Sequence, residues 1–348
     1  MSGDGFWAGI DAGANKSAIC VKDGRGDIID EVEVPSNAEA VSSYLSSLAL
    51  SGRLVVGIEA GDTAVHVTRG LREQGFVVRV LETRFANGLL QVTQNKTDRN
   101  DARGLADVVR LMGRARSVLV KSAEAQTLQS ELVLRHQLVG QRVAIENAIK
   151  GVFRLNGVQI PRLSSAKNLD LVVKAELKKL KQTGIDLSAA IGPALKIAYS
   201  LRKTIELGER RLDRVAKADH VCRRLMTVPG VGTLCALAFY ASVDDPYRFE
   251  DNRDVAPYLG LVPRISQSGA KVRRGRISKR GSVLTRTHLV TSAKSMLGQS
   301  KVDCAAKRWA LALRERAGPK KAQVALAKKL AIIMLAIWKS GTDFEPAR

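Results

Sequence analysis

The sequence predicts a multidomain chain: a mixed α/β domain over residues 1–115, a long helical region over 116–222, read as a coiled coil or linker, and a mainly α domain over 223–348. Three observations predict it. Short β-rich apolar runs alternate with helix patterns up to residue 111, then stop. From residue 122 to 220 apolar residues recur at helical spacing with few breaks. The charge also changes sign: residues 1–110 hold 12 Lys+Arg and 15 Asp+Glu, net −3, within a chain of 348 residues whose overall charge is +22.

In chain order, Phe6–Asp11 is a short apolar run ending on an acid. Lys16–Lys22 reads as a second strand after a turn, and Ile28–Val34 as a third. Ser36 is positioned to cap a helix running to about Leu50. Leu54–Ile58 leads into Glu59, a helix follows over Asp62–Gln74, then a strand over Val77–Leu81 and a helix over Asp98–Leu111. A strand meander followed by alternating helices and strands makes a mixed sheet with helices on its faces. In the middle region Leu128, Leu132, Leu138, Ile145, Ile149 and Val152 form one stripe, broken by Asn156-Gly157 and Pro161. Leu169–Leu180 and Leu187–Val215 continue as amphipathic helices, and long antiparallel helices are the natural reading. Val228-Pro-Gly-Val-Gly232 joins two helical patterns. Such a turn either holds a nucleic-acid phosphate on its free N–H groups or is an ordinary helix junction. Ala322–Trp338 reads as a buried C-terminal helix with Lys328-Lys329 at its exposed edge.

Composition excludes several classes. A hydrophobic content of 45% excludes a wholly disordered chain. The longest apolar run, Leu330–Trp338, is nine residues, too short to span a bilayer, and no secretory signal is visible at the start, so a cytoplasmic, nucleoid-associated protein is expected. Four separated cysteines without a CxxC pair argue against a zinc site or a disulfide framework. His66, His136, His220 and His288 have no ligand spacing, and aromatics at 4% leave few stacking platforms. The positive excess beyond residue 110, net +25, is the footprint of a polyanion binder; the bland alternative is a solvated basic surface.

Two constellations could carry chemistry. Asp11 ends the first strand, Glu59 follows the fourth, and Asp98 and Asp101 are three apart on one helix. Strand ends of open α/β sheets gather ligands, and converging carboxylates are reconciled by Mg²⁺, a hard cation that takes oxygen ligands. Taken singly, each acid has a structural reading: Asp98 as an N-cap with Asp101 as its partner, Asp11 as a turn former. The second constellation runs from Arg264 to Arg286, with eight basic residues and no acid. Arg264, Lys271, Arg273, Arg274, Arg276, Lys279 and Arg280 would grip phosphates, and Ser268 stands before Gly269 among them. A serine needs activation to act as a nucleophile, and a loop whose serines only donate hydrogen bonds is the plainer alternative.

Several strings resemble one family. Asn95-Lys-Thr-Asp-Arg-Asn-Asp-Ala102, Gly9-Ile-Asp11 and Gly57-Ile-Glu59 resemble the three acidic blocks of the DEDD transposases, the insertion-sequence-110 family and its pilin-gene-invertase relatives. Pro229-Gly-Val-Gly232, Tyr258–Arg264, Ser268-Gly269 and Ile277–Gly281 resemble that family's C-terminal domain. The resemblance implies a RuvC-like, ribonuclease-H-like N-terminal domain whose Asp11, Glu59, Asp98 and Asp101 bind Mg²⁺. It implies a C-terminal nucleophilic serine, assigned to Ser268 with Ser266 as the neighbouring alternative, that forms a covalent phosphoserine with DNA. It further implies donor and target DNA as substrates, a structured guide (bridge) RNA, a homo-oligomer (dimer or tetramer) sharing active sites between protomers, and no membrane. Two rivals stand beside it. A sugar-kinase or actin-like ATPase is suggested by Gly9–Ser17, which resembles a phosphate loop; a non-catalytic nucleic-acid-binding protein would use the acids as caps.

Overall fold

The computed structural model describes residues 5–90, 97–112, 117–161, 166–269 and 271–346. The chain divides into two compact units, Met1–Lys121 and Ser122–Arg348. Asn95 and Lys96 of the third acidic string lie outside the described residues.

The first unit contains β1 (Gly5–Ala12), β2 (Lys16–Lys22), β3 (Ile28–Pro35), α1 (Ala38–Ser47), β4 (Arg53–Glu59), α2 (Asp62–Glu73), β5 (Val77–Leu81), α3 (Thr83–Leu90) and α4 (Asp98–Met112). The expected meander and alternation are present; α3 is an addition. Ser36 does not cap α1. Asn37 does, its side chain accepting from the Ala40 N–H, because the Ser36 hydroxyl is bonded to that of Ser17. The sheet order is β3-β2-β1-β4-β5, with β1 antiparallel to β2 and parallel to β4.

Strand alternation divides this sheet between two cores. Ala8 and Ile10 of β1, with Val56 and Ile58 of β4, pack against Val41, Leu45, Val67 and Leu71 of α1 and α2. The intervening residues face α4. Two of them are glycines, paired across the strands as Gly9 and Gly57. A Cβ on Gly9 would lie 2.1 Å from the Ala102 carbonyl oxygen and 2.3 Å from the Ala106 nitrogen. One on Gly57 would lie 2.5 Å from the Val109 side chain. The absent side chains let α4 sit directly on the strand backbones. Its buried stripe is Ala102, Leu105, Ala106, Val108 and Val109.

The second unit begins with α5 (Ala123–Leu155), α6 (Ala166–Gln182) and α7 (Ser188–Ala218). The expected long antiparallel helices are present. Glu131, Arg135 and Glu146 of α5 pair with Arg211, Glu209 and Arg202 of α7, an order that reverses along the two helices. Apolar packing lies at the two ends: Leu128, Leu132, Leu212 and Ala216 join the main core of the unit, and Ile149, Phe153, Ile191 and Leu195 join Val173 and Leu180 of α6. Asn156 and the left-handed Gly157 end α5 where the sequence breaks the stripe.

The rest comprises α8 (His220–Leu225), α9 (Thr233–Val243), α10 (Val255–Tyr258), β6 (Pro263–Ser268), β7 (Lys271–Ile277), α11 (Val283–Gly298), α12 (Ala305–Ala317) and α13 (Pro319–Ser340). A nearly fully buried α9 packs among α5, α7, α8 and α11, and Trp338 of α13 stacks on its Tyr240. The glycine turn between α8 and α9 is committed to packing at Gly230, where a Cβ would lie 2.5 Å from the Ser292 carbonyl oxygen of α11. The Arg264–Arg286 stretch, expected as a loop, forms an antiparallel hairpin, so the mainly α region carries its own two-stranded sheet. All four cysteines are free and buried.

Two outcomes test this packing. Gly9→Ala is expected to cost about 1–3 kcal/mol or more by overpacking against backbone. Gly57→Ala, which meets the Val109 side chain at 2.5 Å and backbone only at 3.3 Å, should cost less, and Gly88→Ala, which meets nothing within 4 Å on helix α3, should raise the urea midpoint slightly. Burial, reinforced by Arg135 and His136, pushes the His288 imidazole down to about 4. Between the ordinary value near 6.5 and 4 the unfolded chain takes up a proton that the folded chain refuses. Stability should therefore fall as pH drops through that window. His288→Gln should flatten the dependence, read from urea midpoints across pH 4–7.

Candidate active site

Period and stripe carry the acids toward the same end of the sheet. Asp11 lies two residues after Gly9, and Glu59 two after Gly57, so both belong to the α4-facing set of their strands. They stand one step beyond the Ile10–Ile58 pair, on neighbouring parallel strands roughly 5 Å apart. Both are half-buried, and both engage in polar or electrostatic interactions. The helix runs antiparallel to β1: Lys22, the partner of Trp7, reaches Asp107, whereas Ala18, the partner of Asp11, clusters with Ala102. Its first turn is therefore carried toward the strand ends where Asp11 and Glu59 sit. Asp98 and Asp101 continue the buried stripe one turn further, four residues before Ala102 and Leu105 respectively. Asp98 is exposed and Asp101 half-buried.

The capping explanation for these acids does not hold. Asp98 is the first helical residue, and the cap is Thr97, whose Oγ1 accepts the Asn100 N–H at 3.2 Å. Asp11 remains inside β1, paired with Ala18, and the turn is closed by the Gly13 N–H donating to the Lys16 carbonyl.

Ion pairs tie the flank of α4 to the sheet. Arg103 forks onto both oxygens of Glu31 at 2.5 and 2.7 Å, and Lys22 reaches Asp107 at 2.5 Å, with Arg110 on its other oxygen at 3.1 Å. The Arg103 guanidinium holds the Glu31 carboxyl below its usual range. Burial, and then Glu31, push the Cys20 thiol up to about 12, so it presents no thiolate near neutrality. The donor set at the strand ends is purely carboxylate, which is the chemistry of a hard divalent cation. Among the described residues, no three His, Cys, Asp or Glu side chains are gathered closely enough to form a metal-holding group.

Ser268 and Ser266 lie on β6, which is exposed along its whole length. Ser268 pairs with Lys271 across the two-residue tip, and Ser266 with Arg273. By alternation the two serines share one face, with Ile265 and Gln267 on the other. Each predicted nucleophile thus has a basic cross-strand neighbour and no histidine. Arg264, Arg273, Arg276, Lys279 and Arg280 are exposed on the hairpin and its neck, Arg264 also donating to the Ser278 carbonyl at 3.3 Å. The side chains of Lys271 and Arg274 lie outside the described set.

The neck explains the neighbouring motifs. Gly260 and Gly281 are both left-handed, and a Cβ on either would lie 2.3 or 2.2 Å from the carbonyl oxygen of Arg280 or Tyr258. The two chain segments cross there backbone to backbone. Arg286 locks the crossing. Its buried guanidinium donates to the carbonyls of Leu259 at 3.1 Å, Gly281 at 3.0 Å and Arg280. Tyr258 donates to the Ser242 carbonyl at 2.8 Å, and Arg248 lies over its ring. Arg286 ends the basic run, and its role is that of a clamp. The signal was available, since Arg286 sits on the buried stripe of α11 with Leu289, Ala293 and Met296.

Comparison with known proteins identifies the carrier of this arrangement. Residues 8–156 match a DEDD transposase model of the IS110 group, and residues 222–310 match the model described as Transposase IS116/IS110/IS902 family. The transposase for insertion sequence element IS1111A of Coxiella burnetii is 32% identical over 336 residues, covering 94% of this chain and 88% of that one. The chain belongs to the IS110 family of transposases. A probable family 20 transposase of Pseudomonas aeruginosa is 33% identical over 298 residues, covering 84% and 86%. The transposase is thus a DNA-recombining enzyme, and this family membership displaces the actin-like ATPase reading of Gly9–Ser17. No helix among the described residues is long and apolar enough to cross a membrane.

The neck makes a prediction of its own. Arg286→Met keeps length but leaves three carbonyls without their donor. Trypsin should then cut within 264–276 about tenfold faster than in the parent, at unchanged helical circular dichroism. Equal protection would show that the clamp is dispensable.

Proposed function

We propose that this transposase cuts and rejoins DNA strands with two groups of residues: the carboxylates of Asp11 and Glu59 on a RuvC-like sheet with Asp98 and Asp101 on the helix against it, and the hydroxyl of Ser268 on the basic hairpin. The observation that supports the reading most is the placement of Asp11 and Glu59 side by side at the ends of neighbouring strands, on the side that faces α4, whose first turn carries Asp98 and Asp101. Held by these carboxylates, Mg²⁺ would polarise a phosphoryl oxygen and favour attack at phosphorus.

The chain's own residues supply the rest. Arg264, Lys271, Arg273, Arg274, Arg276, Lys279 and Arg280 draw the phosphate ladder of donor and target DNA onto the hairpin, with release of counterions. Their charge lowers the cost of the negative charge that builds on phosphorus in the transition state. Ser268 Oγ bonds to phosphorus as one deoxyribose O–P bond breaks; the serine proton leaves and the departing oxygen gains one. The phosphoserine keeps the bond energy needed for rejoining. A structured guide RNA supplying sequence choice by base pairing accords with the family resemblance and with the +25 excess beyond residue 110. In the same reading the α5–α7 region forms a coiled coil between protomers, placing the acids of one chain beside the serine of another, in the cytoplasm on nucleoid DNA.

Asp11→Asn, Glu59→Gln and Asp101→Asn should each abolish strand exchange, with DNA binding retained in a gel-shift assay. Normal exchange by any of them removes that residue from its role. On a denaturing gel, Ser268→Ala should yield no protein–DNA adduct. An adduct that survives Ser268→Ala and disappears in Ser266→Ala would assign the nucleophile to Ser266.

A further inference from the structure

The positive charge of the second unit is not evenly neutralised. Along α5, α6 and α7 many cations are paired with acids, as in Arg202–Glu146, Arg211–Glu131, Lys174–Asp170, Lys181–Asp186 and Lys217–Asp213, and the unpaired ones are spread over three long helices. Between Lys301 and Lys329 nine Lys and Arg face two acids, Asp303 and Glu315. Arg308 and Arg314 take those two. Arg316, Lys320 and Lys321, all exposed at the turn between α12 and α13, have no carboxylate partner among the described residues.

Helix electrostatics does not account for them. Basic residues at the end of α12 are favoured by its dipole, but Lys320 and Lys321 occupy the first turn of α13, where acids are favoured. That turn contains no acid and has no side-chain cap. Two ammonium groups therefore add to the positive end of a 22-residue helix. The repulsion persists in the free protein and is relieved by an anion.

The same face carries an aromatic. Trp309 on α12 is 38% exposed, and Lys329 of α13 lies over its ring at 4.8 Å, joining the two helices. Seven residues separate Trp309 from Arg316, about 10.5 Å along the helix, a span of one or two nucleotides of an extended strand. An indole beside phosphate-seeking cations suits a polymer that presents both bases and phosphates, and stacking requires an unpaired base.

We infer that the α12–α13 face is a second polynucleotide-binding surface, carried on elements apart from the β6–β7 hairpin, and that it takes an unpaired strand. Phosphates lie at Arg316, Lys320, Lys321 and the first turn of α13, with a base on Trp309.

The test uses the full chain and two fluorescein-labelled probes of about 20 nucleotides, oligo(dT) and a duplex, over a range of salt. Arg316→Glu/Lys320→Glu/Lys321→Glu should weaken oligo(dT) binding at least tenfold and reduce the log–log salt slope by about 2, three phosphates at roughly 0.7 each. Trp309→Ala should weaken oligo(dT) about tenfold and the duplex much less, and Trp309→Phe should restore most of the loss. Arg273→Glu/Arg276→Glu in the hairpin should leave this Trp309 dependence intact. Parent-like affinity and salt slope in the triple variant, with helical circular dichroism retained, would overturn the surface. Equal loss of duplex and oligo(dT) in Trp309→Ala, or failure of Trp309→Phe to restore, would overturn the unpaired strand as its occupant.

Discussion

The direct seating of α4 on the backbones of β1 and β4 is the constraint on which the first unit depends. A helix normally stands off a sheet by the length of the side chains between them. At Gly9 that layer is missing, and the Ala102 carbonyl occupies the space of a Cβ. The close approach fixes the height and direction of the helix above the strands, and therefore where its first turn emerges. Apolar burial on the opposite face, through Ile10 and Ile58, holds the strands in register. The Arg103–Glu31 and Lys22–Asp107 pairs resist rotation of the helix about its axis. Each interaction is ordinary. Together they fix where the strand ends bearing Asp11 and Glu59 lie relative to the first turn of α4.

The second unit uses a parallel device for a different purpose. At Gly260 and Gly281 two chain segments cross without side chains between them, and Arg286 satisfies three carbonyls at the crossing. An exposed two-stranded hairpin has little burial of its own and is marginal in isolation. Its definition comes from the neck, which is anchored in the core through α10 and α11. The exposed arm can then present serines and cations to a large substrate while keeping its attachment rigid.

Much of the first unit was legible because its signals are local. Alternation marked every strand, and Gly-Ile-Asp and Gly-Ile-Glu encode the site in three residues: a position for helix approach, a core residue, then a carboxylate on the same face as the glycine. The N-cap of α1 was misread by one position because Ser36 had a tertiary partner in Ser17 that pattern cannot reveal. Thr97, the cap of α4, is not singled out by sequence because the Asp98 that follows it is an equally good capping residue. The hairpin was read as a loop since its strands carry few apolar residues and bury none, leaving the periodic signal without contrast. The clamp role of Arg286 shows in sequence only as its place on the α11 stripe, because a cation held by carbonyls has no acidic partner nearby.

The paired register of β6 and β7 has an evolutionary corollary. On a strand, inserting or deleting one residue between the neck and the tip would exchange the serine side for the Ile265 and Gln267 side. The reach of this arm is therefore quantised: lengthening or shortening it while keeping position 268 on the same side takes two residues at a time, or a bulge that absorbs the odd residue.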